Sequence, residues 1–428
     1  MIERFVRLAL SLGADEAEAF HSESTGYSFS SMGRRIHSKE FEADEGWAVR
    51  VIKEGRMGFA FFTKESEAQK AVKRALALAK FCEKADYSFP ERGRMGRARC
   101  FDRRIAGMGE KDGLTMMRAV FDAMSRKGAS PTECALEFGA SFEEVCNSNG
   151  VLANEERTSL VSFLACSYGG KSGSASAGSA LLDFDVADVA EKAAEQAKAR
   201  SSARPLEKGV RTAVFDAVSL VQLLNVLLPS LNGDRVRRGA SALAGRLGEK
   251  IAAESFSLYD DPFALGIGAC SFDGEGTPGR KKELISRGVL SGFLFDVKGA
   301  CLARKKGLAT SAGNCVRTGY AAAPGIGASN LVIEKGRVED VVEEVRNGVF
   351  VSSFFGEHTA NKVTGDYSVS IDLGFEIKRG ELAGPVSEVT MAGNVLEMLR
   401  NVTAIEKKRE RHFGLTAPRI AFKNLSIG

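Results

Sequence analysis

The chain has 428 residues, 44% hydrophobic and 27% charged, with a formal net charge of +4. That length suits two or three domains of roughly 100–200 residues each. The near balance of charge makes no compositional case for nucleic acid, and no apolar run reaches the roughly 18 residues that cross a bilayer.

In chain order, "MIERFVRLALSLG" sets Ile2, Phe5, Val6, Ala9 and Leu12 on one helical face, with Gly13 as the stop. Glu3 interrupts any basic leader and no small-residue cleavage site follows, so this segment reads as the first helix of a domain. "AEAFHSESTGYSFSSMGRRIHSKEFEADEGWAVRVIKEGRMGFAFFT" then alternates apolar and polar residues between turn signals at Gly26, Gly33 and Gly55, which predicts a small antiparallel sheet. A helix, "SEAQKAVKRALALAKFCEK", and an irregular basic loop, "YSFPERGRMGRARCFDRR", follow. The order then returns: a helix "KDGLTMMRAVFDAMSRKG", a strand set from "ECALEF" to "ASAGSA", and a helix "VADVAEKAAEQAKARSS". Gly33 and Gly150 fall at equivalent turns, so residues 1–205 read as a duplicated helix–sheet–helix unit. Chance alternation in an α+β chain is the plain alternative.

A break at "SSARPLEKG" opens a second region, residues 206–428. It reads as a strand "VRTAVFD", an uncharged helix through "LLNVLLPS", and Gly-rich strands around "LGIGACSFDGEGTPG" and "GVLSGFLFD". Further on come a helix "VEDVVEEVRNG", strands "VFVSSFFGEH" and "SVSIDLGFEIKRGELAG", a helix "NVLEMLRNVTAIEKKRE" and a last strand "RIAFKNLSI". Strands and helices mix without a βαβ rhythm, so the expected class is α+β, with a mixed, β-rich second half.

The usual chemistries find little purchase. "LGIGACSFDGEG" holds a GxG, but neither GxGxxG nor GxxxxGK[ST] occurs, and glycines in a sheet or its turns explain it. Zinc chemistry needs imidazoles or thiolates, and no histidine lies between His37 and His358. Asp260 and Asp261 could touch a hard cation, yet they also read as turn formers ahead of Pro262. His358 could serve a nucleophile with Glu357 or Asp366, but no GxSxG accompanies it. Basic clusters at Arg235, Arg237 and Arg238, at Lys281 and Lys282, at Arg304, Lys305 and Lys306, and at Lys407, Lys408 and Arg409 each have acids nearby, and one Trp and six Tyr leave little to stack bases. Eight cysteines without CxxC spacing read as reduced thiols of a cytoplasmic protein.

From about residue 231 onward the sequence resembles the TldD/PmbA family. "NGDRVRRGASALAGRLGEKIAAESFSLYDDP", "FDGEGTPGRKKELISRGVLSGFLFD", "ATSAGNCVRTGY" and "TGDYSVSIDLGFEIKRGELAGPVSEVTMAGNVLEMLRNV" carry the likeness in order. The resemblance implies two branches that act as partners. TldD-like chains look like zinc metalloproteases with HExxxH on a helix before a Gly-Asp corner and a Cys ligand near the C-terminus. PmbA-like (TldE) chains share the fold without those ligands. Counting back from Gly233-Asp234, the motif positions fall on Leu224, Asn225 and Pro229, and the last cysteine is Cys315. The resemblance therefore implies a PmbA/TldE-type subunit with no metal or catalytic residue of its own, and zinc in a TldD-like partner. It also implies unfolded or extended peptide substrates, with a homodimer as a further assembly. Gly245, Arg246, Gly248, Glu249, Asp260, Asp261 and His358 are the candidate peptide or partner contacts. Two competing readings stay open: a peptidase acting on its own through a different site, and a modulator of DNA gyrase.

Overall fold

A computed structural model describes residues 2–84, 87–305, 307, 310–387 and 389–428. The first half begins with α1 (Glu3–Ser11), whose Phe5, Val6 and Ala9 are buried, and continues through β1 (Glu16–Met32), β2 (Arg35–Lys53), β3 (Arg56–Phe62) and α2 (Ala68–Ala79). A short α3 (Arg103–Ala106) precedes the second copy: α4 (Glu110–Arg126), β4 (Ser130–Asn147), β5 (Leu152–Tyr168), β6 (Lys171–Ser179) and α5 (Val186–Ser201).

All six strands form one antiparallel sheet in the order β3-β2-β1-β4-β5-β6. The two copies meet at β1 and β4, where Gly26 pairs with Gly139. Gly26 therefore does not turn the chain, as its sequence context had implied, but sits mid-strand. A Cβ on Gly139 would strike the Thr25 carbonyl, so close approach of the two strands is what calls for glycine here. The outer strands repeat one device. A Cβ at Gly58 of β3 would collide with the Ala75 carbonyl of α2, and one at Gly173 of β6 with the Ala193 carbonyl of α5. Alanine-rich helix faces (Ala71 and Ala75; Ala190, Ala193 and Ala197) press on these strands, and the duplication is thus built into the packing.

The second half contains β7 (Gly209–Phe215), α6 (Ala217–Leu227), α7 (Gly233–Arg237), β8 (Leu258–Asp260), β9 (Lys282–Ser286), β10 (Val289–Leu290), α8 (Val297–Arg304), β11 (Cys315–Val316), β12 (Gly325–Ile326) and β13 (Leu331–Ile333). It closes with α9 (Val341–Val345), β14 (Asn347–Phe355), β15 (Asp366–Lys378), β16 (Glu381–Val386), β17 (Val389–Asn394), α10 (Val395–Arg400), β18 (Val402–His412) and β19 (Leu415–Ile427). Eleven strands form a mixed sheet, with β13–β19 and β14–β7 parallel. Strand β7 pairs with both β14 and β19, which closes a barrel-like ring through β15 and β17. Helix α6 packs its leucines on the face that carries Phe215, Phe354 and Phe422. Among the described residues no helix is long and apolar enough to cross a membrane.

Three expected elements differ. "LGIGACSFDGEGTPG" forms loops, because the Asp273 carboxylate accepts the backbone N–H groups of Glu275, Thr277 and Cys315 and folds the segment on itself. In "GVLSGFLFD" only Val289–Leu290 is strand. The helix expected over "NVLEMLRNVTAIEKKRE" ends at Arg400, and the rest is β18, whose Val402, Ala404 and Ile405 pair with β19 and bury their side chains. β-Branched residues beside an available strand outweigh helical propensity there.

Candidate functional site

Helix α6 starts on a capping box. The Asp216 carboxylate accepts the Ser219 N–H at 2.9 Å, and the Ser219 hydroxyl lies 3.0 Å from the Asp216 N–H. Burial pushes the Asp216 carboxyl up to about 6, against those bonds. The helix carries no charge because its Leu220, Leu223, Leu224, Val226 and Leu227 are all buried in the core. Pro229 follows its end inside a 3-10 turn, Leu228–Leu231, where its missing N–H is harmless.

The corner that follows holds the protein's own side chain. A Cβ at Gly233 would overlap the Phe295 ring, and the Gly233 N–H donates to the Leu294 carbonyl at 2.8 Å. Asn232 caps α7 by accepting from the N–H groups of Asp234 and Arg235, while Asp234 takes ion pairs from Arg237 and Arg238 at 2.8 Å each.

The three positions onto which the resemblance maps the metal motif diverge. Leu224 is 3% exposed in the core, Asn225 is exposed, and Pro229 is half-buried. Leucine and proline offer no donor, and among the described residues no three His, Cys, Asp or Glu side chains gather as metal ligands. These residues do not fit a zinc site.

The candidate contact residues are scattered. Gly245 and Gly248 adopt φ of +78° and +84° in a turn closed by the Arg246–Glu249 pair at 2.8 Å and tied to Leu290. Asp260 is buried, accepting from the Ser329 N–H and hydroxyl at 2.7 Å and from Asn314 Nδ2 at 2.5 Å. Burial raises its carboxyl above the ordinary range and pulls nearby Lys282 down to about 8. Asp261 accepts the Phe263 N–H at 3.0 Å, as a turn former does. His358 stands exposed on a 3-10 turn beside the Phe355 ring, and among the described residues no hydrogen bond joins it to Glu357 or Asp366. Of the basic clusters, Lys282 is buried on Asn314, Lys407 pairs with Glu339, and Lys306 lies outside the described residues.

What the fold brings together instead is a groove of about 690 Å³ between the two halves. One wall is β6, which among the described residues pairs only with β5, takes a bond from Arg200 Nη1 at its Ser172 carbonyl at 2.6 Å, and carries small "SASAG" side chains. The other is α6 with Val218, Val221 and Gln222. Gln222 pairs its amide with both the N–H and the carbonyl of Phe354, at 3.0 and 3.1 Å, and so finishes the end of β14 as a further strand would. Phe163 and Phe413 stack at 5.8 Å over the groove, and burial pulls His412 beside them down to about 4, with Lys192 adding to the fall. Arg411–Asp183 at 2.7 Å and Arg200–Asp372 clip the halves together.

A second junction is a buried ion network. Arg50 donates to Glu18 at 2.5 and 2.8 Å and to Glu275 at 2.9 Å, and Arg317 also pairs with Glu18; each of the four side chains is at most 3% exposed. Burial alone would raise Glu18, yet Arg50 and Arg317 outweigh it and hold the carboxyl low. Burial raises Glu275 to about 7 despite Arg50. The sequence signal was present but unused: Arg50 sits inside the apolar run "WAVRVI" and Glu18 inside "AEAF". The groove left no such signal, since β6 is a run of small residues and β18 was read as helix.

This two-sheet architecture corresponds to a known class of metallopeptidase-family chains. Family models for the PmbA/TldA metallopeptidase domain 1, central domain and C-terminal domain match residues 17–79, 106–201 and 208–428. The chain belongs to the PmbA/TldD family. It is 28% identical to an uncharacterized protein of Methanocaldococcus jannaschii, covering 99% of this chain and 98% of that protein. It is 25% identical to the metalloprotease PmbA of Escherichia coli O157:H7, covering 100% and 96% respectively. The crystal structure of TldE from Thermococcus kodakarensis superposes with a TM-score of 0.89 at 25% identity, covering 100% of this chain and 99% of that one.

Proposed function

We propose that this chain is a PmbA/TldE-type subunit without catalytic residues of its own, paired with a zinc-bearing, TldD-like chain and holding unfolded or extended peptides for cleavage by that partner. The observation that carries the reading is the divergence of Leu224, Asn225 and Pro229 into core, surface and turn, with no donor at two of the three. The Ser174–Gly178 stretch of β6, which lies at the end of the sheet and among the described residues pairs with no strand but β5, supports the peptide part, because an extended chain can add to such an edge through main-chain hydrogen bonds whatever its sequence. Its eight unbridged cysteines suit the reducing cytoplasm.

The test is co-expression with a TldD-like paralogue, followed by zinc analysis of each separated subunit and a peptide-cleavage assay. Zinc should follow the paralogue, and cleavage should need both chains. Stoichiometric zinc in this chain, or hydrolysis by it unaided and lost in His358→Ala, would overturn the proposal.

A further inference from the structure

The loop between the two copies of the first half has no part in the function proposed above. From Tyr87 to the end of α3 at Ala106 the chain carries six arginines against Glu91 and Asp102, a surplus of four. That equals the formal net charge of the whole protein, +4, so the remaining residues balance to zero. Arg104 pairs with Asp102 at 2.7 Å. Arg92, Arg94, Arg97, Arg99 and Arg103 are exposed, and among the described residues none makes an ion pair or a side-chain hydrogen bond.

A repelling row of like charges normally sits on a mobile segment, but this one is held along its length. Asn149 and Asn147 donate to the carbonyls of Phe89 and Pro90 at 2.8 and 2.9 Å. A Cβ at Gly93 would lie 2.6 Å from Pro278, and one at Gly96 would overlap the Phe263 ring, so both glycines seat the backbone against the second half. The Ala98 N–H donates to the Ser271 hydroxyl at 2.9 Å. Finally, the Thr158 N–H donates to the Cys100 carbonyl and its hydroxyl accepts the Asp102 N–H, at 2.9 Å each, on the stretch of β5 that β6 does not cover. Each tie uses backbone or glycine and leaves the guanidinium groups outward.

Beside this row opens a cavity of about 1270 Å³ with apolar walls at Phe142, Leu152 and Leu265. Of its four acids three are paired, Asp102 by Arg104, Asp183 by Arg411, and Glu155 by Arg157 and the Ser271 N–H, while Glu156 stands exposed at the rim. We propose that Arg92, Arg94, Arg97 and Arg99 form a preorganised docking track for an acidic, extended polypeptide, whose carboxylates pair with the arginines and whose apolar side chains enter the adjoining cavity. Planar guanidiniums suit bidentate carboxylates better than lysines would. Peptide is favoured over nucleic acid because the cavity beside the arginines presents exposed Leu152 and Leu265, which the apolar side chains of a peptide can cover and a sugar–phosphate chain would not. The proposal holds whether or not the chain pairs with a metalloprotease.

The test uses the full-length protein and fluorescence anisotropy with four labelled probes of equal length: a Glu-Gly repeat, a Lys-Gly repeat, a Ser-Gly repeat and oligo-dT. The Glu-Gly peptide should bind saturably at about 50 mM salt and weaken at about 300 mM. The other three should bind more weakly. Arg94→Gln/Arg97→Gln/Arg99→Gln should weaken Glu-Gly binding about tenfold, and Arg97→Gln alone about twofold, with unchanged thermal unfolding. No Glu-Gly binding at low salt, equal binding by the triple variant, or tighter binding of oligo-dT would each overturn the proposal.

Discussion

Replacing Arg50 by methionine keeps most of the side-chain volume and removes the charge that joins the two halves. Glu18 comes from β1 and Glu275 from the second half, and the guanidinium makes three hydrogen bonds to them, at 2.5, 2.8 and 2.9 Å. Without it, Glu18 keeps Arg317, but among the described residues Glu275 keeps only the Val297 N–H at 2.9 Å, in a place 1% exposed to water. Removing one partner of a buried pair costs about 3–5 kcal/mol, because the other charge is left uncompensated. The size should depend on pH. Burial has already raised Glu275 to about 7, and losing Arg50 raises it further, so the folded state holds a proton that the unfolded state releases. Acid therefore favours the folded variant, and the deficit should shrink as pH falls from 8 towards 5. Urea unfolding followed by circular dichroism at both pH values measures this. Arg50→Met/Glu275→Leu should recover part of the loss, since the orphaned carboxyl is gone. A deficit below about 1 kcal/mol at pH 8, or one that grows in acid, would refute the reasoning.

Other substitutions separate core from surface in the same assay. Leu224→Ala should cost about 2–5 kcal/mol as a core cavity, whereas Asn225→Ala next to it should cost under about 0.5 kcal/mol; equal effects would mean α6 is rotated. Gly233→Ala drives a methyl into the Phe295 ring and should cost roughly 1–3 kcal/mol, with partial rescue by Phe295→Leu; a neutral result would show that the corner is slack. His412 is held neutral by burial, at about 4 against an ordinary 6.5, so its contribution is complete above pH 6.5 and is lost as pH falls towards 4. At pH 5 that loss is of order 2 kcal/mol, and His412→Gln should flatten the curve between pH 7 and 5 by about that much. A variant as acid-sensitive as the parent would place His412 in contact with water.

Periodicity and caps were enough for α1, α2, α4, α5 and α6, because a helix declares its buried face every three or four residues and its ends through local hydrogen bonds such as Asp216 to Ser219. The duplication was legible for the same reason, from repeated order and the paired turns at Gly33 and Gly150. The family likeness also needed nothing but the residues. Glycine was the weak point. Gly26 looked like a turn and is a strand crossing, and the glycines near "FDGEG" looked like strand but let a loop approach the first half, where a Cβ at Gly276 would lie 2.5 Å from Val151. A missing side chain says that something comes close without saying what.

The amino-acid order alone determined helices α1, α2, α4, α5 and α6, that the first half is built twice, and that α6 carries no His, Cys, Asp or Glu. Only the tertiary structure decided that Glu18 and Arg50 meet Glu275 and Arg317, that "TAIEKKRE" pairs as a strand, and that β6 lies at the end of its sheet across a groove from α6. Those outcomes depend on contacts between residues up to 299 positions apart, as between Glu18 and Arg317. Strand partners and buried ion pairs are chosen by which surfaces the fold brings together, and local sequence carries no record of the far side.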